Sequence, residues 1–297
     1  MEAFLKSVPK EWKVLKLYEV ASVRGSSKIR AHINRRHYRK IAFIPMDLIP
    51  QEGIYCNYEL RDPEDIRSYV YCRAGDILLA KITPSFENGK QGIVPLDIPG
   101  GFALATTEVY PIAPDETKID CMFLFYLLKW HPYRKYLEHR MRGTTGRRRV
   151  PRDALLNLNI PLPPLDEQRK IARILYTIDE AIAKTETIIF RVEELRRALL
   201  DYLMTYGIGH KEYKETEIGK IPKEWKIVKV GDVAKIDTKS IRPKAGEKYY
   251  YIGLEDIESE TGRILKDENE LVDGSQIKSA KYIFSKEHVL YGRLRPF

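Results

Sequence analysis

Two stretches of this chain concentrate side chains that bind anions. Between Arg24 and Lys40 lie seven basic residues, Arg24, Lys28, Arg30, Arg35, Arg36, Arg39 and Lys40, with two histidines and no acid. A second cluster runs from Arg134 to Arg152 and contains the consecutive Arg147, Arg148 and Arg149. Arginine outnumbers lysine in both clusters. Its planar guanidinium offers paired N–H donors that match phosphate oxygens and the guanine edge. Between the clusters, Lys81, Thr83, Ser85, Asn88 and Lys90 surround a loop marked by Pro84, Gly89 and Gly92. Thr144 and Thr145 stand between Gly143 and Gly146, just before the arginine run. The first cluster has the chemistry of phosphate contacts, which position a protein on a polyanion without reading it. The two loops carry the candidates for reading base edges. Arg147 suits guanine and Asn88 suits adenine, so both rank above the neighbouring lysines.

The charge distribution agrees. The net charge is +9, and residues 1–160 hold 26 Lys and Arg against 18 Asp and Glu, while the rest of the chain holds 25 against 24. A basic face on an otherwise ordinary domain is the electrostatic footprint of a nucleic-acid binder.

Catalytic chemistry is harder to find. Asn88-Gly89-Lys90 lacks the remainder of a phosphate-binding GxxxxGK[ST] loop, and neither an Asn-Pro-Pro-aromatic run nor a Gly-rich methyl-donor loop occurs. Asp76 and Lys81 are spaced loosely like a nuclease carboxylate and lysine, but Ile77 to Ala80 between them are all apolar and read as a buried strand. His131 and His139 could share a helix face, yet nothing pairs with them as a metal ligand. Cys56, Cys72 and Cys121 are odd in number and have no CxxC spacing, which points to neither a disulfide framework nor zinc. No cofactor or metal is expected, and a reduced, cytoplasmic protein is. No run approaches the roughly 20 apolar residues of a membrane span, and Met1 to Lys6 shows no signal-peptide core.

The elements that must carry these residues are announced by a repeat. Pro9-Lys10-Glu11-Trp12-Lys13-Val14-Leu15-Lys16-Leu17 returns as Pro222-Lys223-Glu224-Trp225-Lys226-Ile227-Val228-Lys229-Val230, and Val20-Ala21 as Val233-Ala234. Phe43 to Ile49 is echoed by Tyr251 to Ile257, and Ile77 to Pro84 by Val289 to Pro296. So long a period means a duplicated domain rather than a solenoid. In the first copy, Trp12–Leu17, Ile41–Met46 and Asp76–Ile82 read as strands bounded by Pro and Gly. Cys121 to Glu138 reads as a helix interrupted at Pro132.

Three prolines in four positions keep Ile160 to Pro164 extended, so a helix begins only beyond them, with Asp166 the best N-cap. From there to Tyr206 no Pro or Gly occurs. Ile171, Leu175, Ile178, Ile182, Ile189, Val192, Leu195, Leu199 and Leu203 recur at three- and four-residue steps, and Gly207 and Gly209 end the run. About 40 residues make a rod of roughly 60 Å, whose seam needs a partner helix from this chain or another.

Ile160-Pro161-Leu162-Pro163-Pro164-Leu165-Asp166-Glu167-Gln168-Arg169-Lys170-Ile171-Ala172 resembles the signature at the start of the conserved helix in DNA-specificity subunits of type I restriction–modification systems. The repeated Pro-x-x-Trp opening, Gly75-Asp76-Ile77-Leu78, and Gly143-Thr144-Thr145 with its trailing arginines are similar to the same family. The resemblance implies an α+β (mixed α/β) target recognition domain over residues 1–160, a coiled-coil-forming helical spacer over 161–208, and the first half of a second, homologous recognition domain over 209–297.

It further implies that each copy reads half of a bipartite double-stranded DNA site and that the helix sets their spacing. Methyltransferase subunits and an ATP-dependent restriction subunit would be the partners, with all catalysis left to them. Whole members of the family carry two complete recognition domains and two paired helices. Here the second copy stops about halfway, as in a truncated or incomplete reading frame, and such a half-domain would expose strand edges and apolar surface. Two other readings stand beside this one. A helix-turn-helix regulator using Glu167–Leu200 lacks a glycine turn. A coiled-coil scaffold without DNA binding explains the helix but not the arginines.

Overall fold

A computed structural model describes residues 8–25, 38–144, 146–259 and 261–292. The chain forms two compact units that divide at Leu199/Leu200, within the long helix. Each is described by itself.

The first unit is built on two four-stranded sheets. Strands β2 (Ala21–Val23), β6 (Ile77–Ala80), β7 (Gln91–Ile93) and β9 (Val109–Pro114) form one antiparallel sheet in the order β2-β9-β6-β7. Strands β3 (Ile41–Ile44), β4 (Glu59–Arg61), β5 (Val70–Arg73) and β8 (Phe102–Ala105) form the other in the order β4-β3-β8-β5, with β3 and β8 parallel. Successive side chains of a strand point to opposite faces, and here both faces are covered. Ile77 and Leu79 of β6 pack in one core with Phe123, Phe125 and Tyr133. Leu78 between them packs in a second core with Ile44, Cys72, Ala105 and Val109. A third cluster, with Ile66 and Tyr69 beside Phe43 and Leu104, lies on β3 and β8. Strands buried on both sides read as unbroken apolar runs, which is why β3 and β6 stand out in the sequence.

The stretch Cys121–Glu138 is two helices, α2 (Cys121–Lys129) and α3 (His131–Glu138), after the single turn α1 (Leu17–Val20). The break falls at Trp130, which is extended (φ −62°, ψ 132°), two residues ahead of the proline. Pro132 sits in the first turn of α3, where its missing N–H costs nothing, so it starts a helix instead of kinking one. Asp120 caps α2 by accepting a bond from the Phe123 amide (2.9 Å).

The opening strand β1 (Lys13–Lys16) pairs antiparallel with β10 (Asn159–Leu162), which follows the short helix α4 (Arg152–Leu156). Val14 faces Pro161 in this ladder, an edge position where proline is tolerated. Helix α5 then runs unbroken from Leu165 to Tyr206. It begins one residue before Asp166, which lies in the first turn rather than at the cap. Gly207 follows in the left-handed conformation (φ 64°), the usual way a helix stops.

The proline-rich junction explains itself physically. Gln168 is fully buried. Its Oε1 accepts a bond from the Asp120 amide (2.8 Å), and its Nε2 donates to the carbonyls of Lys118 (3.1 Å) and Pro163 (2.8 Å). Glu167 accepts a bond from Trp12 Nε1 (3.2 Å). Tyr126 donates to Asp179 (2.8 Å), about three turns further along α5 than Glu167. The first turns of α5 are thereby fixed to α2 and to the opening of the chain.

The second unit repeats the start of the first. Helix α6 (Val230–Val233) stands where α1 does, and the Lys229 amide donates to Asp232 as the Lys16 amide donates to Glu19. A 3-10 turn at Leu254–Asp256 matches the one at Met46–Leu48. The strands of this unit, β11 (Tyr213–Thr216) to β16 (Lys281–Tyr282), occur as three two-stranded ladders. Lys226–Lys229, the counterpart of β1, is not a strand. Leu17 and Val20 are fully buried, whereas Val230 and Val233 are 77% and 71% exposed. In the first unit Leu17 shares a core with Leu158, Ile160 and Ala172.

Candidate nucleic-acid interface

The two polar loops, about sixty residues apart in sequence, form one surface. The Thr83 amide donates to the Arg148 carbonyl (3.0 Å) and the Val150 amide to the Lys81 carbonyl (2.8 Å). Arg142 and Arg149 bridge each other, exchanging bonds of 2.9 and 2.8 Å, and Ile82 bridges Arg149. The Tyr110 hydroxyl donates to the Val150 carbonyl (2.8 Å) from β9. Lys81, Thr83, Ser85, Asn88, Thr144, Arg147, Arg148 and Arg149 are therefore carried on neighbouring backbone.

Within that surface the basic side chains have unequal standing. Asn88, Thr144 and Arg147 are exposed, and among the described residues the Arg147 guanidinium has no side-chain partner, in contrast to its neighbours. Arg149 is held bidentately by Glu108, at 2.9 Å from Nε and 2.8 Å from Nη2. This contact keeps the Glu108 carboxyl below its ordinary range and raises the guanidinium. Arg148 donates to Glu87 Oε1 (3.2 Å), the same oxygen that accepts the Thr83 hydroxyl (2.7 Å). Lys81 lies over the Tyr110 ring (5.1 Å), and burial pushes its ammonium down while Glu108 pulls it back up.

Several residues with the right chemistry are structural. Arg24 binds the buried Asp76 through Nε (2.5 Å) and Nη2 (3.0 Å), a contact that raises the guanidinium. Lys90 donates to the carbonyls of Met46 (2.8 Å) and Ile49 (3.1 Å). Asp76, Arg24 and Lys90 thus spend their charge inside the domain. Arg39 and Lys40 are exposed, and Lys28, Arg30, Arg35, Arg36 and Thr145 lie outside the described residues.

Arg134 has the clearest supporting role, and the sequence shows it only as one more basic residue. Its guanidinium donates to the carbonyls of Phe86 (3.3 Å) and Gly89 (3.0 Å) and to Gln91 Oε1 (3.3 Å). It also stacks over the Phe86 ring at 4.8 Å. Burial pushes it down to about 10. Gln91, itself buried, donates to the Phe125 carbonyl (2.8 Å). The polar loop is thereby fixed to α2 and α3 from beneath.

The helical seam presents a second surface. Ile178, Ile182, Ile189, Val192 and Leu195 are more than half exposed, Leu199 and Leu175 somewhat less, and Leu203 is half-buried. Ile171, placed by its spacing at the head of the seam, packs with Tyr176 on the core of its own unit.

Residues 9–194 match the family described as the type I restriction modification DNA specificity domain. The chain belongs to this family. The matched span takes in the Trp12 opening, both polar loops, the Gln168 junction and most of α5. Among curated relatives, the putative type I restriction enzyme MjaX specificity subunit of Methanocaldococcus jannaschii is 31% identical over 170 residues, 57% of this chain and 39% of the relative. The type I restriction enzyme EcoAI specificity subunit of Escherichia coli is 37% identical over 136 residues, 45% of this chain and 23% of the relative. The chain thus spans well under half the length of these relatives. Among solved structures, the HsdS subunit from Thermoanaerobacter tengcongensis aligns with a TM-score of 0.45 at 24% identity, over 66% of this chain and 46% of that one. Among the described residues, no helix is long and apolar enough to cross a membrane.

Proposed function

We propose that the chain recognises double-stranded DNA as the specificity component of a type I restriction–modification complex, with its first unit reading one half of a bipartite site. The observation that carries this reading is the joined loop surface, anchored by Arg134 and Lys90, in a chain of the specificity family. A rigid scaffold that presents polar and guanidinium groups on adjacent loops supplies both phosphate contacts and base-edge donors. The chain carries no catalysis of its own in this reading. Methyltransferase subunits and an ATP-dependent restriction subunit are its partners, and the assembly works in the cytoplasm.

Helix α5 contributes by pairing its exposed seam with a second helix, from another specificity chain or another copy. A helix-turn-helix regulator built on residues 167–200 is not favoured, because α5 has no turn there.

The test is duplex binding by the full chain over a range of KCl concentrations. Each phosphate neutralised contributes about 0.9 to the log–log salt slope, so a slope of several is expected, and Arg147→Ala should lower it by about one. A slope near zero or one would remove DNA from the reading.

A further inference from the structure

Three consecutive arginines face the proposed DNA surface, but two are already neutralised by carboxylates that the sequence places far away. Arg149 gives two of its nitrogens to Glu108, and Arg148 gives one to Glu87. Both carboxylates are largely screened from solvent, at 28% and 19% side-chain exposure, while the two arginines are nearly half exposed. The acids thus lie beneath and the guanidiniums above, on the side a ligand would approach. Glu87 is further fixed by the Thr83 hydroxyl, and Lys81 lies in the field of Glu108.

We propose that Glu87 and Glu108 are specificity-determining residues, which hold Arg148 and Arg149 back from the phosphates of unspecific DNA. The inference rests on the DNA-reading assignment above and deepens it. Phosphate is the same at every step of a duplex, so an unpaired guanidinium binds all sequences alike. A guanidinium already paired with a carboxylate, by two bonds to Glu108 and by one to Glu87, gains little from a phosphate that must compete for the same donors. It gains only where a ligand engages its remaining donors in a fixed plane, as a guanine edge does. Selectivity then comes from lowering the affinity for the wrong partner as well as raising it for the right one. Arg147, with no such carboxylate among the described residues, is left to supply the general attraction.

The experiment measures the affinity of the full chain for a mixed-sequence 30-base-pair duplex across KCl concentrations. Glu108→Gln should bind that duplex several-fold more tightly, with a slope steeper by about 0.9 for the one guanidinium released. Arg149→Ala should barely change mixed-sequence binding in the wild-type background but abolish the gain in the Glu108→Gln background. Glu87→Gln, which keeps the oxygen that Thr83 bonds, should repeat the result through Arg148 and provides a second lever if Glu108→Gln misfolds. An unchanged slope in both Gln variants, with the wild type still showing a slope of several, overturns this inference and leaves the DNA assignment standing. Arg149→Ala weakening the wild type as much as Arg147→Ala does would overturn it equally. A wild type with no salt-dependent binding removes both.

Discussion

Gln168 shows how one side chain ties sequence, packing and site together. It lies fully buried and makes three hydrogen bonds to backbone groups on two segments, Lys118–Asp120 and Pro163. Replacing it by Leu keeps the volume but orphans those groups, each at a cost of about 1–3 kcal/mol when buried. Gln168→Leu should therefore lower the unfolding free energy by about 3 kcal/mol, read from the urea midpoint, and a change under about 0.5 kcal/mol would contradict the described bonding. The sequence marked this glutamine by resemblance; only the fold gives it a reason. At the same scale two of the cations singled out in the sequence have partners inside the domain. Arg24, a candidate for phosphate, is held by Asp76, and Lys90, a candidate for base edges, by the carbonyls of Met46 and Ile49. Asp76 sits 52 residues from Arg24, and Glu108 sits 41 from Arg149. Charge clusters are visible in a linear string, but pairing across such separations depends on sheet order, which the string does not display.

The elements were legible where one period dominated. The apolar runs of β3 and β6, the extended prolines of β10 and the unbroken periodicity of α5 all follow from local rules. What was not legible was how loops from different elements meet. Strand β9 lies beside β6, so Tyr110 reaches Val150 and the loop after β6 joins the one before α4. Helix α5 carries an expectation of its own. Ile182 and Ile189 are 51% and 53% exposed, so in a lone chain they bury little. Glu at both positions should change the unfolding free energy of the monomer by less than about 0.5 kcal/mol for each site. In a helix pair the same charges would be buried without partners. Sedimentation should show the wild type associating with concentration and the double variant remaining monomeric. A wild type that stays monomeric at high concentration would take the pairing role away from α5.

At the scale of the whole molecule, duplication has put the same short motif into two settings. Leu17 is buried beneath β10 and the helices of the first unit, whereas its repeat, Val230, is 77% exposed. Leu17→Ala should cost about 2–5 kcal/mol as a core truncation, while Val230→Ala should cost less than about 0.5 kcal/mol. Denaturant curves of the two variants would test this, and equal losses would mean that the second unit buries its copy after all. The second unit also carries an apolar groove lined by Ile241, Tyr251, Leu254, Ile277, Phe284 and Leu290. In the first unit β1 and β10 form one two-stranded ladder. Those two strands match residue for residue from Lys13 opposite Leu162 to Lys16 opposite Asn159. The way in and the way out of the fold are thus adjacent doorposts of a single frame. Every loop strung between them starts and finishes on one ladder, and α5 follows its second strand after only two residues.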